Sequence, residues 1–222
     1  NTCHYCLSGH HTVCDTLRRT NFYPGGFAEY IRLPAINVDR GTFRLPDEVS
    51  CEEATFVEPV ACVLRGLRKA GLKPGCTMLV IGSGIAGLLY VHLARALGAG
   101  RIVAVDVVEY RLEAARKFGA DSALRAEDDV PTYLREVNSG RLADMVIVCT
   151  GAESAIDQAL KSVERHGTVL FLAPTGPGVT GPLSINDIFW RNDITLTTSY
   201  AGSPADHVNA LELIRAGTLR VK

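Results

Sequence analysis

The sequence of 222 residues predicts an α/β fold, in which helices cover both faces of a doubly wound parallel sheet. From residue 77 onwards, short apolar segments alternate with segments of helical periodicity. The apolar segments are nearly uninterrupted, as at residues 145–148, which indicates strands buried on both faces. A glycine-rich turn joins the first of these strands to the helix that follows it. Together these observations imply a parallel sheet wrapped by helices.

The composition is that of a folded domain without a polymeric partner. Hydrophobic residues make up 47% of the chain, and 23 basic against 24 acidic residues give a formal net charge of −1. A near-neutral charge argues against binding to nucleic acid or to an anionic membrane through bulk electrostatics. Composition also excludes collagen-like, disordered and coiled-coil chains. The length fits one large domain or one and a half ordinary ones.

The most apolar stretch, residues 78–98, contains spaced glycines together with His92 and Arg95. It therefore favours a buried strand–turn–helix over a membrane span. Residues 1–11 are polar and rich in Cys and His, unlike a signal peptide. Four of the seven cysteines lie among apolar residues and are expected to be reduced thiols: Cys51, Cys62, Cys76 and Cys149. We therefore expect a cytoplasmic location.

The N-terminal third of the chain shows the weakest periodicity. Residues 1–19 are polar and are expected to be irregular. A Pro-Gly-Gly turn at 24–26 is followed by apolar–polar alternation, which predicts a half-buried strand at 27–33. A second short extended segment is predicted at 37–46.

Helical signals begin at Ser50, which forms a capping box with Glu53. A further helix is predicted at 59–70, with one apolar face and an end at Gly71. Beyond it, strands are predicted at 77–81, 101–106, 144–149, 168–173 and 194–198, with a weak strand at 122–124. Helices are predicted between them at 85–97, 109–118, 130–137, 154–163 and 203–216.

A Gly-x-Gly-x-x-Gly motif follows the first predicted strand and opens a predicted helix, which is the context that dinucleotide binding requires. Gly82 permits the tight turn, Gly84 lets the backbone approach a pyrophosphate, and Gly87 lets helix and strand pack closely. The helix N-terminus supplies free N–H groups and partial positive charge to the phosphates. We predict a Rossmann dinucleotide site whose residues include Gly82, Gly84, Ile85, Ala86 and Gly87.

Asp106 ends the next predicted strand, 19 residues after Gly87. A carboxylate there accepts hydrogen bonds from the adenosine ribose hydroxyls and repels a 2′-phosphate, so we predict NAD rather than NADP. Val107 and Val108 offer no guanidinium to a phosphate, although Arg111 lies in the following turn and joins the predicted cofactor-binding residues. The alternative is that Asp106 caps the following helix.

Cys3, Cys6 and Cys14 cluster in a polar segment and have the spacing of metal ligands. A structural zinc site needs four ligands. The fourth either lies before the first residue of this chain or is one of the nearby histidines His4, His10 and His11. A redox Cys-x-x-Cys is a second interpretation, which is weakened because no strand–helix pattern surrounds the motif. Three free surface thiols are the third.

With these residues in hand, the chain closely resembles the zinc-dependent medium-chain alcohol dehydrogenases, particularly the sorbitol and threonine dehydrogenase branch. The family's structural-zinc lobe reads Cys-x2-Cys-x2-Cys-x7-Cys, and Cys3, Cys6 and Cys14 match its second, third and fourth cysteines. Further matches extend over essentially the whole chain, in the Pro-Gly-Gly-Phe-Ala-Glu-Tyr of 24–30, the Glu-Pro of 58–59 and the helix of 111–121.

The resemblance implies that residues 1–55 are the remnant of a GroES-like catalytic domain with the structural-zinc lobe, and that residues 56–222 are the NAD-binding Rossmann domain. In the family, the main ligands of the catalytic zinc come from upstream of the lobe. We therefore expect this chain to be a fragment, cut just inside the zinc lobe, that binds NAD but does not oxidise alcohols on its own.

The family mechanism implies a zinc ion that binds the alcohol oxygen and acts as a Lewis acid while hydride passes to NAD. By the match, Glu58 lies beside that catalytic zinc as an occasional ligand or nearby carboxylate. The alternative for Glu58 is an acid that only stabilises a helix start. Five further cofactor contacts are implied at strand ends, where ordinary strand termination is the alternative: Cys149, Thr150, Leu172, Ser199 and Tyr200.

The function expected from the resemblance is hydride transfer between NAD and a secondary alcohol or polyol, by a homodimer or homotetramer. A non-catalytic NAD-binding module is the alternative. A zinc-ribbon protein that acts on nucleic acid is disfavoured, because the chain lacks a basic, aromatic-rich stripe. We expect neither a nucleic acid nor a membrane partner.

Overall fold

The structure is a computed structural model that describes residues 2–20, 22–181 and 183–221. The chain forms two compact units. We call Cys62–Tyr200 the sheet unit, and Asn1–Ala61 together with Ala201–Lys222 the terminal unit. The predicted domain division between residues 55 and 56 stays a prediction.

The sheet unit is built on six parallel strands: β1 (Thr77–Ile81), β2 (Arg101–Asp106), β3 (Ser122–Arg125), β4 (Ala143–Val148), β5 (Val163–Phe171) and β6 (Thr195–Thr198). Their order across the sheet is β3-β2-β1-β4-β5-β6. This is the strand order of the doubly wound Rossmann fold, in which the direction of winding reverses between β1 and β4. The predicted α/β Rossmann fold is confirmed.

The sheet lies at the centre of the sheet unit because its strands are uninterrupted apolar segments. All five residues of β1 are buried, and Leu79 pairs with Val103 of β2 on one side and Val146 of β4 on the other. Because helices cover both faces, each strand buries its side chains in both directions. Burying one such Val or Leu side chain contributes about 1.5–3 kcal/mol. The central strands therefore form a rigid support for the residues at their carboxyl ends.

The helices are, in chain order, α1 (His4–Leu7), α2 (Asp15–Arg19), α3 (Ala35–Gly41), α4 (Cys51–Ala54), α5 (Val57–Ala70), α6 (Ile85–Ala96), α7 (Glu109–Lys117), α8 (Val130–Val137), α9 (Glu153–Ser162), α10 (Ile185–Phe189) and α11 (Pro204–Arg215). A 3-10 turn, His11–Val13, lies between α1 and α2. The predicted apolar face of α5 is buried at Val60, Val63, Leu64 and Leu67. The helices of the sheet unit begin and end within two residues of the predicted bounds, except that α10 was not predicted.

The capping box predicted at Ser50 is present. Ser50 Oγ accepts a hydrogen bond from Glu53 N at 3.3 Å, and Ser50 N donates to Glu53 Oε2 at 2.9 Å. Two N–H groups that α4 cannot satisfy internally are therefore paired. The prediction is confirmed because the box depends on local spacing alone.

The predicted strand at 27–33 is wrong. This segment is a series of bends, with a single bridge between Tyr23 and Arg32. Phe27 and Tyr30 are largely exposed. A strand needs a neighbour along its length to pair its backbone. Alternation of apolar and polar residues predicts which face would be buried, but it does not supply that neighbour.

The extended segment predicted at 37–46 is wrong in its first half, because α3 occupies Ala35–Gly41, whereas Thr42 is extended. The N–H groups of Asn37 and Val38 donate to Pro34 O at 2.9 and 3.2 Å, which closes the first turn. Pro34 is the N-cap residue of this helix, and the pattern of apolar residues gave no signal of a helix start there. The N-terminal segment expected to be irregular likewise contains α1, the 3-10 turn and α2.

The most apolar stretch of the chain, residues 78–98, folds as β1, the glycine-rich turn and α6. The predicted buried strand–turn–helix is therefore confirmed. Among the residues that the structure describes, no helix combines the length and apolarity needed to cross a bilayer.

Candidate functional site

The glycine-rich loop connects the carboxyl end of β1 to α6. Gly82 has a φ of +93°, which side chains rarely allow, and its N–H donates to Val105 O at 2.8 Å. A Cβ atom on Gly87 would lie 1.9 Å from Gly82 O, so the approach of α6 to the loop excludes a side chain there. A Cβ atom on Gly84 would meet no heavy atom within 4 Å. The backbone at Gly84 therefore borders open space.

A cavity of about 260 Å³ lies beside this loop, at the carboxyl ends of β1, β2 and β4. Ligands bind doubly wound sheets at this position, because the loops on either side of the switch in strand order diverge there. Six predicted cofactor-binding residues line the cavity together: Gly82, Gly84, Asp106, Arg111, Cys149 and Thr150. Ile85 and Ala86 form the first turn of α6, whose N–H groups have no partner within the helix.

Asp106 is held through both carboxylate oxygens. Oδ2 accepts from Ser83 N at 2.7 Å, and Oδ1 accepts from Val108 N at 2.9 Å. The side chain is only 5% exposed, and Arg111 Nη1 lies 3.7 Å from Oδ2. Val108 is the N-cap residue of α7, so Asp106 links the glycine-rich loop to the start of that helix. This arrangement fixes a negative charge at the edge of the cavity.

Two contacts of this site were missed by the sequence reasoning. Ser83 is fully buried, and its backbone bond to Asp106 closes the loop onto β2. The motif leaves the identity of this position free, so its spacing gave no signal. Arg111 Nε donates to Tyr110 Oη at 3.3 Å. This hydrogen bond, together with the nearby Asp106 carboxylate, raises the pKa of Arg111, and the guanidinium stays positively charged at the cavity.

Cys149 and Thr150 follow β4 on the opposite side of the loop. Cys149 N donates to Ile81 O at 2.8 Å. A Cβ atom placed on Gly82 would lie 3.1 Å from the carbonyl carbon of Cys149, so the two loops pack closely. Burial raises the pKa of the Cys149 thiol well above its usual range. The thiol is therefore neutral and contributes an apolar wall rather than a nucleophile.

Leu172, Ser199 and Tyr200 lie at the ends of β5 and β6 and do not line the same cavity. Leu172 N donates to Val148 O at 3.1 Å, and Ser199 N donates to Phe171 O at 3.4 Å. Ser199 is buried, whereas Tyr200 is 70% exposed. These three residues therefore lie at the ends of the neighbouring strands β5 and β6, farther along the sheet than the glycine-rich loop.

The three N-terminal cysteines come together in the terminal unit. Their Sγ atoms all lie within 4.8 Å of one another, with Cys3 Sγ 3.5 Å from Cys6 Sγ and 3.7 Å from Cys14 Sγ. Zinc bound to sulfur at about 2.3 Å in a tetrahedron separates neighbouring sulfurs by roughly 3.8 Å. The donor set and its spacing therefore fit zinc. Among the described residues, no histidine joins this group, so His4, His10 and His11 are not brought to it.

The surroundings of these thiols differ. Hydrogen bonds from the backbone N–H groups of Leu17 and Thr16, at the start of α2, lower the pKa of the Cys14 thiol to about 7. Burial and the two neighbouring sulfurs raise the pKa of the Cys6 thiol to about 11. Metal binding requires thiolates, so a cation at this position releases protons.

Glu58 lies in the first turn of α5, directly before Pro59, and is exposed. It lines a second cavity, of about 450 Å³, formed within the terminal unit. Two histidines, His11 and His207, line the same cavity. The structure therefore places Glu58 where a ligand has access to its carboxylate, about one residue into a helix start that also favours an acid.

Comparison with known proteins gives a family match. The family model described as zinc-binding dehydrogenase matches residues 86–216. D-xylulose reductase A of Aspergillus oryzae is 28% identical over 99% of this chain and 62% of its own length. Sorbitol dehydrogenase of Bacillus subtilis is 33% identical over 74% of this chain and 46% of its own length. The chain thus spans about three fifths of the length of the first of these curated relatives.

Solved structures agree with the fold. The structure of a zinc-binding dehydrogenase from Sinorhizobium meliloti 1021 bound to NADP has a TM-score of 0.86 and 27% identity, over 99% of this chain and 64% of that one. An alcohol dehydrogenase from Thermus sp. ATN1 has a TM-score of 0.85 and 27% identity over the same shares.

Proposed function

Because the chain belongs to the zinc-binding dehydrogenase family, we propose that it carries the nucleotide-binding part of an oxidoreductase that moves a hydride between NAD and a secondary alcohol or polyol. The observation that carries this proposal is the cavity beside the glycine-rich loop. Open space at Gly84, tight packing at Gly87 and a fixed carboxylate at Asp106 meet at the switch in strand order. This combination suits a dinucleotide.

The residues of this cavity fit the parts of the cofactor. The N–H groups of the first turn of α6, beginning at Ile85, suit the pyrophosphate, because Gly84 leaves room for it. Asp106 suits the adenosine ribose hydroxyls, since a carboxylate can accept more than one hydrogen bond per oxygen. When bound, the nicotinamide supplies the hydride acceptor.

NAD rather than NADP is the proposed cofactor, because Asp106 would repel a 2′-phosphate. Two observations favour NADP instead. The charged guanidinium of Arg111 lies at the same edge of the cavity, and the relative from Sinorhizobium meliloti binds NADP. We favour NAD because the Asp106 carboxylate is buried and fixed by two backbone hydrogen bonds, whereas Arg111 is partly exposed.

Two zinc ions are proposed. Cys3, Cys6 and Cys14 would hold a structural zinc, and Glu58 would lie beside a catalytic zinc as a ligand or nearby carboxylate. When bound there, zinc acts as a Lewis acid on the alcohol oxygen. Glu58 itself can orient the metal or accept a hydrogen bond from the substrate.

Relatives named for D-xylulose and sorbitol favour a polyol or the corresponding ketose as substrate. None of the seven cysteines forms a disulfide in the described structure, which suits a reducing cytoplasm. A homo-oligomeric state is part of the proposal. We further propose that the 222 residues alone bind NAD without oxidising alcohols.

The test is oxidation of sorbitol, xylitol and a simple secondary alcohol by the protein as encoded in its gene, with NAD or NADP as acceptor. NADH formation that depends on a polyol and stops after zinc chelation supports the proposal. NADH binding without turnover on any alcohol would favour a non-catalytic NAD-binding module. Absence of dinucleotide binding would contradict both.

A further inference from the structure

The cavity of the terminal unit has the make-up of a small-molecule site. Its volume is about 450 Å³, within the usual range for ligand pockets. Apolar side chains form much of its wall, and the polar residues that line it include Glu58, His11, His207, Asn37, Thr16, Thr20 and Cys14. Among the described residues that line it, there is no Lys or Arg. The cavity therefore favours a neutral, hydroxylated ligand over a phosphorylated or carboxylated one.

His207 has a fixed tautomer. It lies in the first turn of α11, and its Nδ1 is 2.8 Å from Ser203 O. A carbonyl oxygen can only accept, so Nδ1 carries the proton and donates it to Ser203. In the neutral ring, Nε2 is then an acceptor. The ring thus offers one defined acceptor atom to a ligand in the cavity that it lines.

The backbone around His207 is held in place on several sides. Asp206 is fully buried and closes a capping box with Ser203, through bonds of 2.8 Å from Ser203 N and 2.7 Å from Ser203 Oγ to Asp206 Oδ2. A Cβ atom on Gly202 would lie 2.9 Å from Ala61 Cβ and 3.0 Å from the His207 ring. Such close support holds a binding group in one geometry before the ligand arrives.

The residue that leads into this turn is in an uncommon conformation. Ala201, which also lines the cavity, has a φ of +52°. Non-glycine residues with positive φ concentrate at ligand-binding and catalytic positions, where the surrounding structure maintains them.

A second histidine, His11, also lines the cavity. His11 Nδ1 is buried and makes no hydrogen bond among the described residues. Buried polar atoms are nearly always paired in folded proteins, so this atom lacks a partner of the kind that an ordered water supplies. His11 lies in the 3-10 turn and is independent of α11 in sequence.

We propose that His207 is a substrate-binding residue of the dehydrogenase, whose Nε2 accepts a hydrogen bond from a hydroxyl group of an unphosphorylated polyol in this cavity. The inference rests on the proposed function. Glu58 lines the same cavity. His207 acts in binding and takes no part in hydride transfer, so its loss affects the Michaelis constant for the polyol and leaves dinucleotide binding unchanged.

The test compares His207→Leu and His207→Gln with the wild type, in the protein as encoded in its gene. Leu removes the hydrogen bond while keeping bulk, whereas the Gln amide can still bond near the position of Nε2. Steady-state kinetics with xylitol should show a KM about five- to tenfold higher for His207→Leu, the loss of one neutral hydrogen bond. His207→Gln should recover part of it. The NADH dissociation constant should stay unchanged in both.

His166→Asn is the matched control, because His166 is exposed, lies outside the cavity and has a φ that Asn tolerates. It should leave all constants unchanged. If His207→Leu does not fold, two other measurements test the proposal. One is the KM of His207→Gln. The other is the NMR signal of His207 Cε1–H, which should shift when xylitol is added to the NADH-bound wild type. An unchanged KM in a folded variant, or an unmoved signal in an active enzyme, overturns the proposal. A wild type that neither binds NADH nor oxidises xylitol refutes the proposed function instead.

Discussion

Gly84 and Gly87 stand three residues apart in one motif but have opposite surroundings. Gly87 packs against the carbonyl of Gly82, so its missing side chain serves the fold. Gly84 faces open space, and its φ of −70° is one that any residue adopts, so we propose that its missing side chain makes room for a ligand. Substitutions at the two positions therefore separate stability from binding.

We expect Gly84→Ala to fold with an unchanged melting temperature and to bind NADH about tenfold more weakly, a loss of about 1.4 kcal/mol. Gly87→Ala should instead be destabilised by about 1–3 kcal/mol, because its Cβ atom overlaps Gly82 O. Thermal unfolding and NADH titration of both variants check this. Equal NADH affinity in Gly84→Ala and wild type would contradict the assignment of the open space to the cofactor.

Asp106 and Arg111 place opposite charges at one edge of the same cavity, and we expect them to favour different cofactors. In Asp106→Asn, the negative charge that repels a 2′-phosphate is gone, and Arg111 is free to attract it. We expect the preference for NADH over NADPH to shrink by about tenfold, or about 1.4 kcal/mol. The melting temperature should also fall, since Asn has only one oxygen for the two backbone N–H groups.

The double variant Asp106→Asn/Arg111→Ala is the control. If the guanidinium carries the gain in NADPH binding, the double variant should lose most of it, and the two substitutions should be non-additive. An unchanged cofactor preference in Asp106→Asn would show that the carboxylate stabilises the glycine-rich loop but does not select the cofactor.

Among individual residues, the sequence predicted those that belong to a motif with fixed spacing. The glycines and Asp106 belong to a motif with a known strand–turn–helix context, so their approach to one cavity was predictable. The Ser83–Asp106 bond depends on loop closure, and the bond between His207 Nδ1 and Ser203 O depends on a side-chain direction. No spacing rule encodes these, so they required the structure.

The thiol cluster of the terminal unit joins two short helices, because Cys3 is the N-cap residue of α1, Cys6 lies within α1 and Cys14 is the N-cap residue of α2. We expect the protein to contain zinc bound by Cys3, Cys6 and Cys14, and Cys14→Ser to lose that metal together with part of its thermal stability. Metal analysis and thermal unfolding after dialysis provide the measurement. Cys51→Ser, at an exposed thiol outside the cluster, should retain full metal content. Equal zinc content in Cys14→Ser and Cys51→Ser would contradict the site.

Glu164 connects β5 to the start of β4. Burial alone would raise the pKa of its carboxyl, but the N–H groups of Leu142, at 2.8 Å, and Arg165, at 3.0 Å, outweigh this and lower the pKa below its ordinary value. A lowered folded-state pKa adds stability above the unfolded pKa of about 4.3, which is lost as the pH falls through the folded value.

Glu164→Gln should therefore be less stable than wild type at pH 7, and the difference should narrow as the pH falls below about 4. Denaturant unfolding at several pH values measures this. Glu113→Gln, at an exposed position on α7, is the matched control and should show a smaller difference. A gap for Glu164→Gln that widens in acid would have the wrong sign for a lowered pKa.

Helices and strands were predicted correctly where burial on both faces of the sheet allowed only one secondary structure. β1 and β2 have the predicted bounds, because continuous apolar runs between turn signals define parallel strands. The failures at 27–33 and at α3 lie in the terminal unit, where short segments lack a regular neighbour and local propensities nearly balance. β5 begins earlier than predicted because an irregularity between Ala143 and Met145 lets it pair farther back.

For the whole molecule, the strand order decides where a ligand binds. Reversal of winding between β1 and β4 opens the cleft, and the glycine-rich loop, Asp106 and Thr150 come from the strands that border it. The sequence predicted the alternating elements and hence the fold class. The second cavity, with Glu58 and His207, joins residues far apart in the chain and was not predictable from periodicity.

The central claim is that this cleft binds a nicotinamide dinucleotide. Calorimetric titration of the protein with NADH tests it most directly. The expected result is one NADH bound per chain in the micromolar range, with NADPH bound more weakly and with binding reduced in Gly84→Ala. A protein that is folded by circular dichroism but takes up no NADH at millimolar concentration would contradict the claim.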